Sequence, residues 1–217
     1  MPTEVLERQP PAVSGPGAPG GGSDDRSRGG DGRPEPQGPG LLGDPVRFGL
    51  FAFLATVTML FVGFSSAYIL RRTSQDWQPL SAPPVLWLNT LALLLSSLTL
   101  EVGRRRLRGW DLRGAQAWVL ATGALGVLFV AGQVVGWRQL ADRGVFLASN
   151  PHSSFFYVLT GVHVVHLLGG LAWFAVVAWR LQRKTVTPGE DGLRLFATYW
   201  HFLGGLWVYL LFLLFVY

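Results

Sequence analysis

From about residue 46 onward the chain is organised as five long apolar runs, separated by short polar and basic segments. The runs extend from Val46 to Leu70, Pro84 to Val102, Gly114 to Trp137, Ser153 to Trp179 and Leu195 to Tyr217. A helix rises 1.5 Å per residue and needs about 20 residues to cross about 30 Å of hydrocarbon, so each run is long enough to span a bilayer. Two-residue alternation is missing, and a transmembrane barrel needs more and shorter strands. Helices satisfy their own backbone hydrogen bonds inside lipid. The pattern therefore predicts an all-α membrane protein, a bundle of five transmembrane helices.

Before the first run this pattern is absent. Residues 1–45 contain 11 glycines, 9 prolines and no aromatic side chain, whereas all 28 Phe, Trp and Tyr lie beyond them. Such a segment buries too little apolar surface to offset the entropy of ordering it. The division expected is a disordered Gly/Pro-rich cytoplasmic tail, 1–45, and a transmembrane domain, 46–217. No stretch before Leu41 resembles the apolar core of a signal peptide. Charge supplies 14% of residues, against about 25% in soluble domains. Without cysteine, disulfides and thiolate metal sites are excluded.

The net charge of +5 is placed in a telling way: residues 1–47 carry 5 Arg against 7 acids, so the excess lies in clusters between the apolar runs. Clusters so placed are topology signals, and nucleic acid is not an expected partner. The loop after the second run holds Arg104, Arg105, Arg106, Arg108 and Arg113, and with Arg180, Arg183, Lys184, Arg194, Arg33 and Arg47 they put eleven basic residues on one side against Arg71, Arg72, Arg138 and Arg143 on the other. That asymmetry puts the N-terminus in the cytoplasm and Tyr217 outside.

Small and polar residues recur at helical spacing within the runs. Thr56, Gly63 and Ala67 form one stripe, and Gly123, Gly126 and Gln133 another, which predicts close helix contacts. Asn89, Thr90, Ser96, Ser97 and Thr99 predict interhelical hydrogen bonds. His163 and His166, three apart, should face the bundle together with Thr160 and Gly170, while His152 beside Asn150 and Pro151 reads as a loop residue. His201 stands seven residues beyond Arg194, about 10 Å from the basic end, and His166 about 20 Å from it, an offset that disfavours a shared haem iron. Hydrogen bonding is the first reading of these histidines, with metal or haem ligation and proton handling as alternatives. No Asp or Glu falls inside a run, Glu101 standing at an edge, so no catalytic site is expected within this chain.

Four fragments carry a family resemblance. SSFFYVLTGVHVVHLLGG from Ser153 resembles the signature of subunit III of the haem-copper oxidases, in which a Phe pair, Thr-Gly and two histidines open a late helix. TYWHFLGGLWVYLLF from Thr198, LGVLFVAGQ from Leu125 and RFGLFAFLATVTMLFVGFSSAYILRR from Arg47 are similar to the closing, middle and core-opening helices of that family. The resemblance implies the five-helix form of cytochrome c oxidase subunit III or a quinol-oxidase relative. Such a subunit is non-redox and lies in the bacterial plasma membrane beside catalytic subunit I, with subunit II in the complex. It supports O2 reduction and proton pumping by stabilising the catalytic subunit and holding phospholipid.

Haems and copper then belong to the partner subunits, with no cofactor in this chain. The implied motif and packing residues are Phe155, Phe156, Thr160, Gly161, His163, His166, Gln133, Tyr199, Trp200, His201, Phe202 and Trp207, and Tyr199 and Trp200 with His201 should anchor the fifth helix through ring packing. Arg104, Arg105, Arg106, Arg183 and Lys184 are the implied lipid-headgroup contacts. Val57 and Gly204 stand where many members carry an acid, which makes the chain more purely structural. A haem b-binding anchor of a quinone oxidoreductase and a small transporter are the rival readings.

Overall fold

A computed structural model describes residues 45–183 and 191–216; residues 1–44 of the predicted tail and Lys184 lie outside the described residues, while Pro45, expected in the tail, opens the first helix. Five helices run in chain order: α1 (Pro45–Arg71), α2 (Pro84–Arg108), α3 (Leu112–Asp142), α4 (Pro151–Gln182) and α5 (Asp191–Phe215). All five are long and apolar enough to cross a membrane. Apolar side chains also cover their outer surfaces: Phe48, Phe51, Met59, Leu88, Leu98, Val127 and Val165 are all exposed. A soluble protein rarely shows so much contiguous apolar surface, and lipid is its natural solvent.

The helices outrun the apolar runs that predict them, and this corrects the placement of the basic residues. Arg104, Arg105, Arg106 and Arg108 are in the last turns of α2, and Arg113 is in the first turn of α3. Arginine favours helix and complements the negative end of the helix dipole, while its long stem lets the charge reach water from a helical position.

Local chemistry explains the boundaries. Pro84 opens α2, where its missing N–H costs nothing. Asp111 accepts from the Gly114 backbone N–H at 2.9 Å and caps α3. Asn150 and Ser153 form a reciprocal capping box at the start of α4, with Pro151 at its first position. At the far end of α3, Gly144 takes φ +75°, a left-handed conformation that glycine adopts without strain and that lets Val145 N–H reach back to Leu140 O.

The α2–α3 pair is a tight antiparallel hairpin. Against it α5 packs on α2 and α4, α3 packs on α4, and α1 lies outermost, approaching α4 and α5. Trp200 and Trp207, two turns apart on α5 and both fully buried, fill the centre with Phe129, Phe156 and Phe196. One end gathers the close of α1, the α1–α2 loop, the start of α4 and the close of α5 through Tyr68, Trp77, His152 and Phe215. At the opposite end, Gln116 near the start of α3 donates to Leu181 O near the end of α4.

Candidate functional site

Many polar side chains of α2, α3 and α4 meet in the bundle interior, Asn89, Ser96, Thr122, Gln133, Thr160 and His163 among them. Trp200 Nε1–H donates to Ser96 Oγ at 2.9 Å, and one layer further along Trp207 Nε1–H donates to Thr90 Oγ1 at 3.0 Å. Thr99 and Thr122 hydroxyls pair at 2.9 Å, joining α2 to α3. Trp137 Nε1–H donates to Thr160 Oγ1 at 3.1 Å, joining α3 to α4. Thr90, Ser96 and Thr99 of α2 are thus spent on interhelical bonds, whereas Ser97, expected to join them, makes none among the described residues; inside a membrane such bonds are typically worth about 0.6 kcal/mol each and up to about 2 kcal/mol.

Two glycines make the approach possible. A Cβ at Gly126 would lie 2.7 Å from Trp200 Cη2, and one at Gly132 would lie 2.0 Å from Asn89 Oδ1. The stripe of Gly123 and Gly126 is therefore a true contact face. The stripe of Thr56, Gly63 and Ala67 is not: those residues are exposed, and nothing lies within 4 Å of a Cβ at Gly63. Its expected contact is overturned within this chain because the face of α1 that packs inward is the one bearing Leu50, Leu54, Val57, Phe61, Ser65 and Tyr68.

The histidines divide into different roles. His163 is fully buried between Phe129 and Trp207, with ring centroids 6.0 and 5.3 Å away. Its ring nitrogens, both carboxamide atoms of Gln133 and Nδ2 of Asn89 are buried without a hydrogen-bond partner. His166 is half-buried against Phe53 and Phe61 of α1, its Nδ1 2.8 Å from Val162 O, and Tyr199 Oη–H donates to the His166 carbonyl at 2.7 Å. His201 is exposed on α5, while Tyr199 rings against Trp173 and Trp200 against Phe196. Anchoring of α5 therefore falls to Tyr199 and Trp200; the expected ring packing of His201 does not appear, because its position turns outward from the core face.

His152 overturns its reading as a loop residue. It lies in the first turn of α4, only 3% exposed, stacked on Trp77 at 4.8 Å with an interplanar angle of 12°. Leu80 N–H donates to its Nδ1 at 2.9 Å, so Nε2 carries the proton and donates to Leu214 O at 3.1 Å. One neutral imidazole thereby ties the α1–α2 loop, α4 and α5. The signal was present in the sequence: Asn-Pro is a helix start, cap then first position, which places the next residue on the helix.

Of the remaining motif residues, Phe155 meets the edge of Tyr68, Phe156 is fully buried against Phe215, and Thr160 donates to Phe156 O. Phe202 is half-buried against the core, and Gly161 faces open space. At the basic end Arg104 and Arg105 pair with Glu101 at 2.8 and 3.3 Å, Arg106 pairs with Asp111 at 3.0 Å, and Arg183 lies 4.9 Å over the Trp179 ring. The Gly114 N–H and then the Arg106 guanidinium hold the Asp111 carboxyl below the usual carboxylate range. Among the described residues no group of three or more His, Asp or Glu is placed to hold a metal ion.

The family model for cytochrome c oxidase subunit III matches residues 41–217. The chain belongs to that family. Cytochrome c oxidase subunit 3 of Thermostichus vulcanus is 33% identical over 178 residues, covering 77% of this chain and 85% of that protein. The Synechocystis sp. protein of the same name is 32% identical, covering 78% and 74%. That of Corynebacterium diphtheriae is 30% identical, covering 75% and 83%. The match spans all five helices, so the resemblance carried by four short fragments extends over the entire helical body. As a subunit III, the chain belongs with the haem-copper oxidases, and its place is in a complex with other oxidase subunits.

Proposed function

We propose that this subunit III does no redox chemistry of its own and acts as an insulating, stabilising companion to oxidase subunit I, with subunit II in the same complex. The family match over residues 41–217 carries this reading. Supporting it, Thr90, Ser96 and Thr99 of α2 are used to join helices, and His166 lies against α1 whereas His201 is exposed on α5. Haems and copper would reside in the partner subunits, and the exposed apolar faces would be shared between subunit I and phospholipid. We place the protein in a bacterial plasma membrane with the arginine-rich end cytoplasmic, where Arg105 and Arg106 reach anionic headgroups, each such cation worth about 1 kcal/mol near a charged leaflet. The motif residues Phe156, Thr160, His163, Tyr199, Trp200 and Trp207 serve as packing residues. Support of oxygen reduction and proton pumping is indirect, through the integrity of subunit I.

Mild detergent extraction followed by affinity capture of this chain tests the proposal. Haem-bearing subunit I and copper-bearing subunit II should co-purify, and the isolated chain should show no Soret absorbance. Recovery as a free monomer, or a stoichiometric haem in the isolated chain, overturns it.

A further inference from the structure

The interior holds one polar group that the interhelical bonds do not account for. Asn89, Gln133 and His163 come from α2, α3 and α4, are each no more than 4% exposed, and present five buried nitrogen and oxygen atoms without a partner. Packing brings them into one layer. Phe129 and Trp137, one turn either side of Gln133, contact His163 and Thr160, so Gln133 faces the same stretch of α4. Asn89 seats its carboxamide on Gly132, the neighbour of Gln133, and Thr90 beside it receives Trp207, which lies against the His163 ring. Gln133 and His163 stand about 14 and 18 Å from the nearer ends of their helices, well inside the hydrocarbon zone.

We infer that Asn89, Gln133 and His163 form a buried hydration site that binds ordered water within the bundle. A neutral imidazole offers one donor and one acceptor, Gln133 offers two donors and one acceptor oxygen, and Asn89 Nδ2 offers donors. A buried water makes about three hydrogen bonds and needs two to four polar partners, which this set supplies from three helices. Water at this layer links α2, α3 and α4 where direct side-chain bonds do not.

Water is itself the probe. In the intact, isotope-labelled chain in lipid nanodiscs, solid-state NMR measures magnetisation transfer from water to side-chain nitrogens. Transfer to Gln133 Nε2 and the His163 ring should be several-fold faster than to the indole of Trp200, which is fully buried and bonded to Ser96. In Gln133→Leu, transfer to His163 should fall toward the Trp200 rate. Equal rates at all three groups in the unaltered chain overturn the inference, as does a direct Gln133–His163 hydrogen bond without water transfer. An unchanged His163 rate in a folded Gln133→Leu chain overturns it too.

Discussion

Ser96 decides the state of Trp200, one of the two buried tryptophans at the centre of the core, because the indole N–H has that hydroxyl as its acceptor. Ser96→Ala leaves the donor orphaned in a dry interior, and we expect a loss of about 1–3 kcal/mol in detergent unfolding. Thr56→Ala, whose hydroxyl bonds the Ala52 carbonyl within α1, should leave the unfolding midpoint almost unchanged. Asp111 yields a pH-dependent counterpart at the surface. Its carboxyl is held below its unfolded pKa of about 3.9, so the stability it contributes is present above that value and drains away as pH falls through the depressed folded one. Hydrogen exchange at the Gly114 amide should accelerate over that acidic window, beyond the intrinsic trend, and Asp111→Ala should remove the acid-dependent step while exposing the amide at all pH values.

Element by element, close approach depends on where the small residues fall. Gly126→Ala would push a methyl into Trp200 and to 3.1 Å from Leu171 Cδ2, and because Trp200 is held by its hydrogen bond the ring cannot yield freely. Overpacking of this kind costs about 1–3 kcal/mol, to be read as a lowered thermal midpoint. Gly63→Ala meets open space and should show no loss in the isolated chain. Both glycines look alike in the sequence, small residues in apolar helices at contact spacing. What separates them is that α3 packs on α2 and α4 and receives the Trp200 ring of α5 at Gly126, whereas α1 lies at the margin of the bundle and Gly63 faces away from it.

At the scale of the molecule, the end formed by Tyr68, Trp77, His152 and Phe215 holds together segments far apart in the chain. His152→Ala removes the stacking partner of Trp77 and orphans Leu80 N–H and Leu214 O, costing about 1–3 kcal/mol for each group that stays dry. The α1–α2 loop should then become the first site of limited proteolysis. Retention of the parent cleavage pattern would mean that the loop is held by other contacts. The same substitution in the assembled oxidase should lower the yield of complex while leaving the haem spectrum of the surviving complex unchanged.

Hydrophobic content and run length were enough to specify five spans and their approximate limits, because lipid imposes one solution on a long apolar run: a helix that satisfies its own backbone. Four short motifs were enough to indicate the family. Sequence alone also showed that Ser96, Thr90, Gln133 and His163 are costly at their depth and need partners. Which partners they find was decided by tertiary structure, since helical periodicity names the residues on a stripe but not the helix that faces it. That is why the stacking of His152 on Trp77 could not be read from its neighbours in the chain, why the α1 stripe finds no contact within this chain, and why Trp200 and Tyr199, not His201, anchor α5. Spacing along one helix is a local property; burial is created only when five helices choose their neighbours.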